Sequence, residues 1–189
     1  MSIARVSCIP CLMASLLIAP GAFAFDDSSL TGCYVVSASG QLLGPKVTID
    51  DAGQLAADPQ DLVSHGFGYL ARVCFDGEGA VPESQAVQNI AGVCEVPFTA
   101  TGTYGVDATT GIGDATVSAT IPEDASLPPG CGLLGVQPGA TSSFEFAFLL
   151  DGEGCFRVLT LTATTGDTPV PMVAVGEGCP QVLDTAETP

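Results

Sequence analysis

The chain has 189 residues and a formal net charge of −17 at pH 7. This length suits one domain with a sizeable core, and the acidity repels phosphate backbones and anionic lipid headgroups. We therefore expect no nucleic-acid partner, and we attribute the charge to solubility rather than to cation storage.

The first residues have the pattern of a secretory signal peptide. Arg5 gives a positive start, residues 9–19 are apolar, and Ala22-Phe-Ala24 is a small-residue cleavage site. The apolar run is short for a bilayer span, so a retained anchor is the weaker alternative. We predict cleavage after Ala24 and a domain over residues 25–183 that is secreted or periplasmic and not an integral membrane protein.

The next segment contains strand formers followed by a less regular stretch. Residues 31–39 are rich in β formers and end at Gly40, which predicts a first strand. Residues 46–49 indicate a short strand. Residues 58–63 indicate one helical turn, with Asp58 as the N-cap and a proline at the first helical position.

Residues 67–75 alternate between two faces, which predicts a half-buried strand. The glycine-rich residues 76–79 then turn the chain. A tight turn there would set Arg72 opposite Glu83. This exposed cross-strand ion pair would stabilise the fold by a few tenths of a kcal/mol at most. Pro82 in the returning strand indicates an edge or a bulge.

The second half of the chain continues the strand pattern. Residues 93–107 and 112–121 are strand-like, residues 122–139 form the longest irregular piece, and residues 170–175 indicate a last strand. Residues 184–189 indicate a frayed acidic tail.

The strongest short-range signal is a hairpin over residues 142–164 that turns at residues 151–154. Folding about Gly152 and Glu153 predicts a nearly continuous apolar face. The predicted cross-strand pairs are Leu150 with Cys155, Phe148 with Arg157, Phe146 with Leu159 and Phe144 with Leu161.

Six cysteines follow the predicted cleavage site, and an even number behind a signal peptide favours disulfides over zinc. If the strand from Cys155 turns back near residues 164–167, Cys155 comes close to Cys179, so we predict that pair. The pairing of the other four stays open. These are Cys33, Cys74, Cys94 and Cys131.

Few segments have helical period and turn signals recur at strand spacing, so the sequence predicts an all-β, mostly antiparallel protein. We expect one up-and-down barrel of about eight strands, with a β-sandwich as the alternative.

Four sequence segments resemble recurring motifs of certain uncharacterised secreted bacterial proteins. They are Thr31-Gly-Cys-Tyr, Val73-Cys-Phe-Asp-Gly-Glu-Gly-Ala-Val, Thr101-Gly-Thr-Tyr-Gly-Val-Asp and Ser143-Phe-Glu-Phe-Ala-Phe-Leu-Leu-Asp-Gly. The resemblance covers most of residues 30–165 and implies a small antiparallel barrel, similar in outline to lipocalins or to allene oxide cyclase and dirigent barrels. It brings no catalytic residues, and the six cysteines and residues 41–64 depart from it.

Catalytic and metal-binding motifs are weak, and we expect no cofactor and no metal. His65 next to a serine is a candidate base, but a loop polar residue is the better interpretation, and there is no Gly-x-Ser-x-Gly elbow. Acidic pairs on glycine-rich turns suit calcium, yet they lack EF-hand spacing, and Asp in a turn usually binds its own backbone.

A small ligand inside the barrel is the remaining possibility, since a barrel of about eight strands is either filled or holds one small molecule. Arg157 on the predicted Phe148 face favours a ligand site, because a cation among apolar neighbours needs an anion; extension of Arg157 to the rim is the alternative. The candidate ligand residues are Arg157, Phe148, Tyr69 and Tyr104.

We accordingly predict a non-enzymatic secreted barrel, acting through binding of a small molecule or protein or through envelope association. The first alternative is a small-molecule-binding or isomerase- or cyclase-like barrel, which needs a hollow lumen with Arg157 inside. The second is an inhibitor of a foreign hydrolase that presents residues 122–139, held by Cys131.

The predicted processing has a direct check. Mass spectrometry of the secreted protein is expected to find Phe25 at the N-terminus and no free thiol among the six cysteines. An intact Met1 with thiols that react with an alkylating reagent would contradict both the signal peptide and the disulfides.

Overall fold

Alternating side chains build a closed antiparallel sheet in the computed structural model, which describes residues 25–151 and 153–181. The predicted signal peptide, its cleavage site and the predicted tail lie outside these residues. The strands are β1 (Thr31–Ile49), β2 (Leu55–Asp76), β3 (Ala80–Ile90), β4 (Cys94–Val106), β5 (Ile112–Thr120), β6 (Thr141–Leu150), β7 (Phe156–Thr165), β8 (Thr168–Pro169) and β9 (Met172–Pro180). The helices are a 3₁₀ turn (Asp27–Ser29) and α1 (Pro129–Leu133).

The sheet closes because β9 lies between β7 and β1. Strands β1 to β7 each pair with the next in chain order, and β9 then pairs with both β7 and β1, all antiparallel. The two-residue β8 pairs only with β7, outside the ring. The prediction of one antiparallel barrel of about eight strands is confirmed, and the sandwich alternative is not what forms.

The inward and outward faces follow the predicted alternation in most strands. Phe67, Ala71 and Phe75 are buried inside, while the threonines at positions 101 and 103 are exposed. With a period of two, only one face of each strand is buried. The length of the preceding turn sets the register, and a change of one residue would turn the other face of the strand toward the core.

The β6–β7 turn corrects the predicted register. The Asp151 carboxylate accepts the backbone N–H groups of Glu153 and Cys155, each at 2.9 Å, and the Asp151 N–H donates to the Cys155 carbonyl. The closing pair is therefore Asp151 with Cys155, one residue beyond the pair that a tight turn would close. Phe148 lies opposite Val158, so the predicted pairing of Phe148 with Arg157 is wrong.

The same aspartate chemistry shapes the β2–β3 turn, where the Asp76 carboxylate accepts the N–H groups of Glu78 and Ala80. These bonds lower the pKa of Asp76, the Ala80 N–H contributing most. The register of β3 against β4 shifts between Val81 and Ser84, which confirms the bulge predicted at Pro82.

That bulge changes the predicted partner of Arg72. Arg72 lies opposite Gln85, not Glu83, and its Nε donates instead to the Gln181 side chain at 3.0 Å. The predicted Arg72–Glu83 pair is therefore wrong, because the aspartate-capped turn and the one-residue bulge together shift β3 by two residues.

Beyond the barrel wall, β1 and β2 continue as a two-stranded arm, residues 43–66. Strand β1 pairs with β9 only as far as Leu42, and β2 pairs with β3 only from Phe67 onward. The predicted strand at 46–49 is confirmed within β1, but the predicted helical turn at 58–63 is wrong. A single helical turn gains few backbone hydrogen bonds. Asp58, Leu62 and Val63 instead pair with Lys46, Pro45 and Gly44, and residues 59–61 form a bulge between them.

One barrel end, the Tyr104 end, is closed by the N-terminal segment. The Tyr104 hydroxyl lies 2.9 Å from the Asp27 carbonyl and 3.0 Å from the Leu30 carbonyl, and it accepts the Gly77 N–H at 3.1 Å. Burial raises the pKa of Tyr104. Phe75 stands edge-on to Tyr34, Tyr104 and Phe156, with centroids 5.0 to 5.9 Å apart, and fills this end with rings.

The opposite end, the Cys131 end, is covered by the long connection between β5 and β6. Helix α1 lies in this connection, and the Cys94–Cys131 disulfide ties it to β4. Gly130 and Cys131 are buried, and Leu127, Leu134 and Val136 pack on the core at this end. Residues 122–139 thus cover the barrel rather than project from it.

Two further disulfides join neighbouring strands. Cys33 and Cys74 are register partners on β1 and β2. Cys155 bonds Cys179, which confirms the one predicted pair. Three disulfides are consistent with an extracellular or otherwise oxidising compartment. Within residues 25–151 and 153–181, no helix has the length and hydropathy that a membrane span requires.

We expect Tyr104→Phe to lower the free energy of unfolding by about 1–3 kcal/mol, because it leaves buried backbone groups without a partner. Urea denaturation followed by circular dichroism measures this. Tyr69→Phe is the control: no hydrogen bond contributes to its pKa, so its cost should be smaller. Equal costs for the two variants would contradict the role given to the Tyr104 hydroxyl.

Candidate ligand chamber

The barrel interior holds a space of about 130 Å³, which we call the chamber. Every strand of the ring contributes to its wall, from Val36 on β1 to Met172 on β9. The alternation of each strand supplies these residues, since the inward positions are almost all apolar or aromatic.

The chamber wall is unusually rich in aromatic rings for a chain in which aromatic residues make up 6%. Its rings are Phe67, Tyr69, Phe75, Phe98, Phe144, Phe146, Phe148 and Phe156. None of the described residues that line the chamber is charged. A charged ligand would therefore lose its hydration there without gaining an ion pair.

Three polar side chains offer hydrogen bonds inside this apolar wall. Tyr69 and Gln88 are register partners on β2 and β3, and Thr160 lies on β7. Ser84 also lines the chamber, but its hydroxyl already accepts the Cys74 N–H at 3.2 Å.

Burial raises the pKa of Tyr69 to about 12, and no hydrogen bond contributes to that shift. Among the described residues, no fully enclosed side-chain nitrogen or oxygen lacks a partner. The Tyr69 phenol therefore reaches open space, and the space beside it is the chamber.

The structure separates the four predicted ligand residues. Phe148 and Tyr69 line the chamber. Tyr104 does not, because its hydroxyl is used to hold the N-terminal segment. The placement of Arg157 inside is wrong: the turn at Asp151 sets Phe156 and Val158 inward, and Arg157 points to solvent.

Sequence reasoning missed Gln88 and Thr160. The tight-turn register places Gln88 opposite Phe67, and the observed offset places it opposite Tyr69, so Gln88 lies on the inward face in both; its residue type gave no reason to single it out. Thr160 was hidden by the one-residue register error in the β6–β7 hairpin. For Thr160 the missing signal was the length of an aspartate-capped turn.

His65 serves the base of the arm. It is buried, and its Nε2 lies 2.7 Å from the Pro45 carbonyl on the facing strand. Acidic residues at the turns accept backbone N–H groups, as Asp50, Asp76 and Asp151 all do. Within the described ranges, no three or more His, Cys, Asp or Glu side chains lie close enough together to form a metal site.

Comparisons with known proteins found no relative. No family model matches the chain, and searches of the curated proteins and of the solved structures gave no match. The chemistry of the chamber is therefore the basis for the proposal that follows.

We expect one tyrosine of the folded protein to ionise near pH 12 in an absorbance titration at 295 nm. Its pKa lies above the value of about 10 in an unfolded chain. The folded state thus holds the proton more tightly, and Tyr69 stabilises the fold below pH 10 and loses that contribution between pH 10 and about 12. Tyr69→Phe should remove this phase and Tyr104→Phe should keep it; identical curves for the wild type and Tyr69→Phe would contradict the buried phenol.

Proposed function

We propose that this protein is a non-enzymatic binding barrel that holds one small, uncharged, mostly apolar molecule in the chamber. The observation that carries the proposal is a space of about 130 Å³ inside the barrel whose wall is rich in aromatic rings and has no charge. Apolar side chains of a fully packed core would leave no such space, since voids larger than a water molecule are few.

The volume sets the size of the ligand. An engineered apolar cavity of about 150 Å³ stays dry and binds benzene, so a chamber of this size suits roughly one aromatic ring or a short branched chain. Drug-sized pockets begin at about 300 Å³, which argues against a larger ligand without movement of the wall.

The polar groups set its chemistry. Tyr69 and Gln88 stand side by side across β2 and β3, and they offer donors and an acceptor to a single polar substituent. Thr160 on β7 adds a hydroxyl to the same wall. A neutral ring or short chain with one hydroxyl or carbonyl group satisfies both the apolar wall and these groups.

Binding is favoured over an isomerase or cyclase activity. Proton transfer in catalysis needs a group whose pKa lies near the working pH. The titratable side chain in the described chamber wall is Tyr69, whose pKa of about 12 keeps it protonated at neutral pH. It is suited to donate a hydrogen bond rather than to remove a proton.

The inhibitor alternative lacks support from the Cys131 end. Residues 122–139 are tied down by Cys94–Cys131 as that alternative requires, but their apolar side chains contact the barrel core. For location, we propose a secreted or periplasmic protein that is cleaved after Ala24, and the signal-peptide pattern and the three disulfides support this.

We expect p-cresol to bind the folded protein and to raise its melting temperature in proportion to the logarithm of its concentration. Benzoate, similar in size but charged, should not bind. Isothermal titration calorimetry and NMR shifts of the chamber methyl groups measure the two affinities.

Two neighbouring residues of β4 give a matched control. Ala100 faces the chamber and Thr101 faces solvent, so Ala100→Leu should abolish cresol binding and Thr101→Leu should leave it unchanged. A folded wild-type protein that binds neither p-cresol nor indole at millimolar concentration would refute the proposal, as would unaltered binding by Ala100→Leu.

A further inference from the structure

One outer wall of the barrel, formed by β5, β6, β7 and β9, exposes large apolar side chains. Six of these side chains, each exposing between 41% and 59% of its surface, form what we call the outer patch. Its members are Ile112, Leu149, Leu159, Leu161, Val173 and Val175. Contiguous exposed apolar surface of this kind marks an interaction site more often than scattered single residues do.

The strand register makes the outer patch continuous. Ile112 lies opposite Leu149, and Leu159 lies opposite Val175. Leu149 and Leu159 are diagonal neighbours across β6 and β7, since their partners are Arg157 and Ala147. The apolar side chains therefore meet across three strand boundaries, around a shallow depression of about 840 Å³.

Two opposite charges stand beside each other within this apolar wall. Arg157 and Glu177 are register partners on β7 and β9, and both are exposed. They do not form an ion pair: in the part of the chain that the structure describes, the one ion pair joins Lys46 to Asp61. Each charge is thus available to a partner molecule.

We propose that the outer patch is the interface of a twofold symmetric dimer of this chain. In such an interface the same surface is used twice, so a contact from one residue to another is repeated in reverse. A twofold axis that passes between Arg157 and Glu177 sets each arginine against the partner's glutamate. The charge pattern is therefore complementary to itself, while the surrounding apolar side chains lose their contact with water.

The shape of the wall suits a crossed arrangement. Barrel walls are hyperboloid, so the outer surface is concave along the barrel axis and convex around it. A second copy crossing at a steep angle places its convex direction in the concave direction of the first, as in orthogonal sheet packing. At 0.15 M salt the Debye length of about 8 Å limits repulsion between the two acidic chains.

Sedimentation velocity of the full secreted chain in 0.15 M NaCl tests the proposal. We expect a dimer at micromolar concentration and a monomer for Leu159→Asp. Val87→Asp is the matched control, because Val87 is 45% exposed on β3, on the far side of the ring, and this variant should remain a dimer. Circular dichroism checks that both variants fold.

Charge exchange gives a sharper test of the Arg157–Glu177 contact. Arg157→Glu and Glu177→Arg each create like-charge contacts, so each alone should weaken the dimer at least about tenfold. The double variant should recover it, and an equimolar mixture of the two single variants should form a heterodimer. A wild-type chain that stays monomeric at concentrations up to about 100 μM overturns the proposal. So does a mixture that does not associate, or loss of the dimer in Val87→Asp alone.

Discussion

The hydrogen bonds that the Asp151 carboxylate accepts from Glu153 and Cys155 decide what lies inside this barrel. Shifting the β6–β7 register by one residue would turn every side chain of one strand to the other face. With the observed turn, phenylalanines from both strands face inward and Arg157 faces out. The uncharged chamber wall and the outward position of Arg157 both follow from that one turn.

The fold class could be predicted from the sequence because alternation is strong and local. Residues 67–75 and 98–106 carry it, and the structure buries Phe67, Ala71, Phe75 and Tyr104 on the inward face. The Cys155–Cys179 pair could be predicted for a related reason, since two consecutive antiparallel strands leave few positions for each cysteine. These are properties of single strands and of their immediate neighbours.

The candidate site was harder to predict, since it depends on how strands are offset. Turn length changes the offset by single residues, and an aspartate that caps two N–H groups lengthens a turn without changing its composition. Arg157 was misplaced and Thr160 was missed for this reason. Residues 58–63 of the arm were misassigned because the arm buries little, so its apolar pattern gives no signal of which face is inside.

The neighbours of β9 have a consequence for how the chain reaches this state. Tyr34 pairs with Pro180, so the first and last strands of the ring are adjacent although nearly the whole chain separates them. Long-range pairings of this kind form late, because a large loop must be closed before they contribute. Until β9 arrives, β1 and β7 each present an open edge, and open edges pair with those of other molecules. Closure of the ring by β9 therefore also protects the protein from aggregation through these edges.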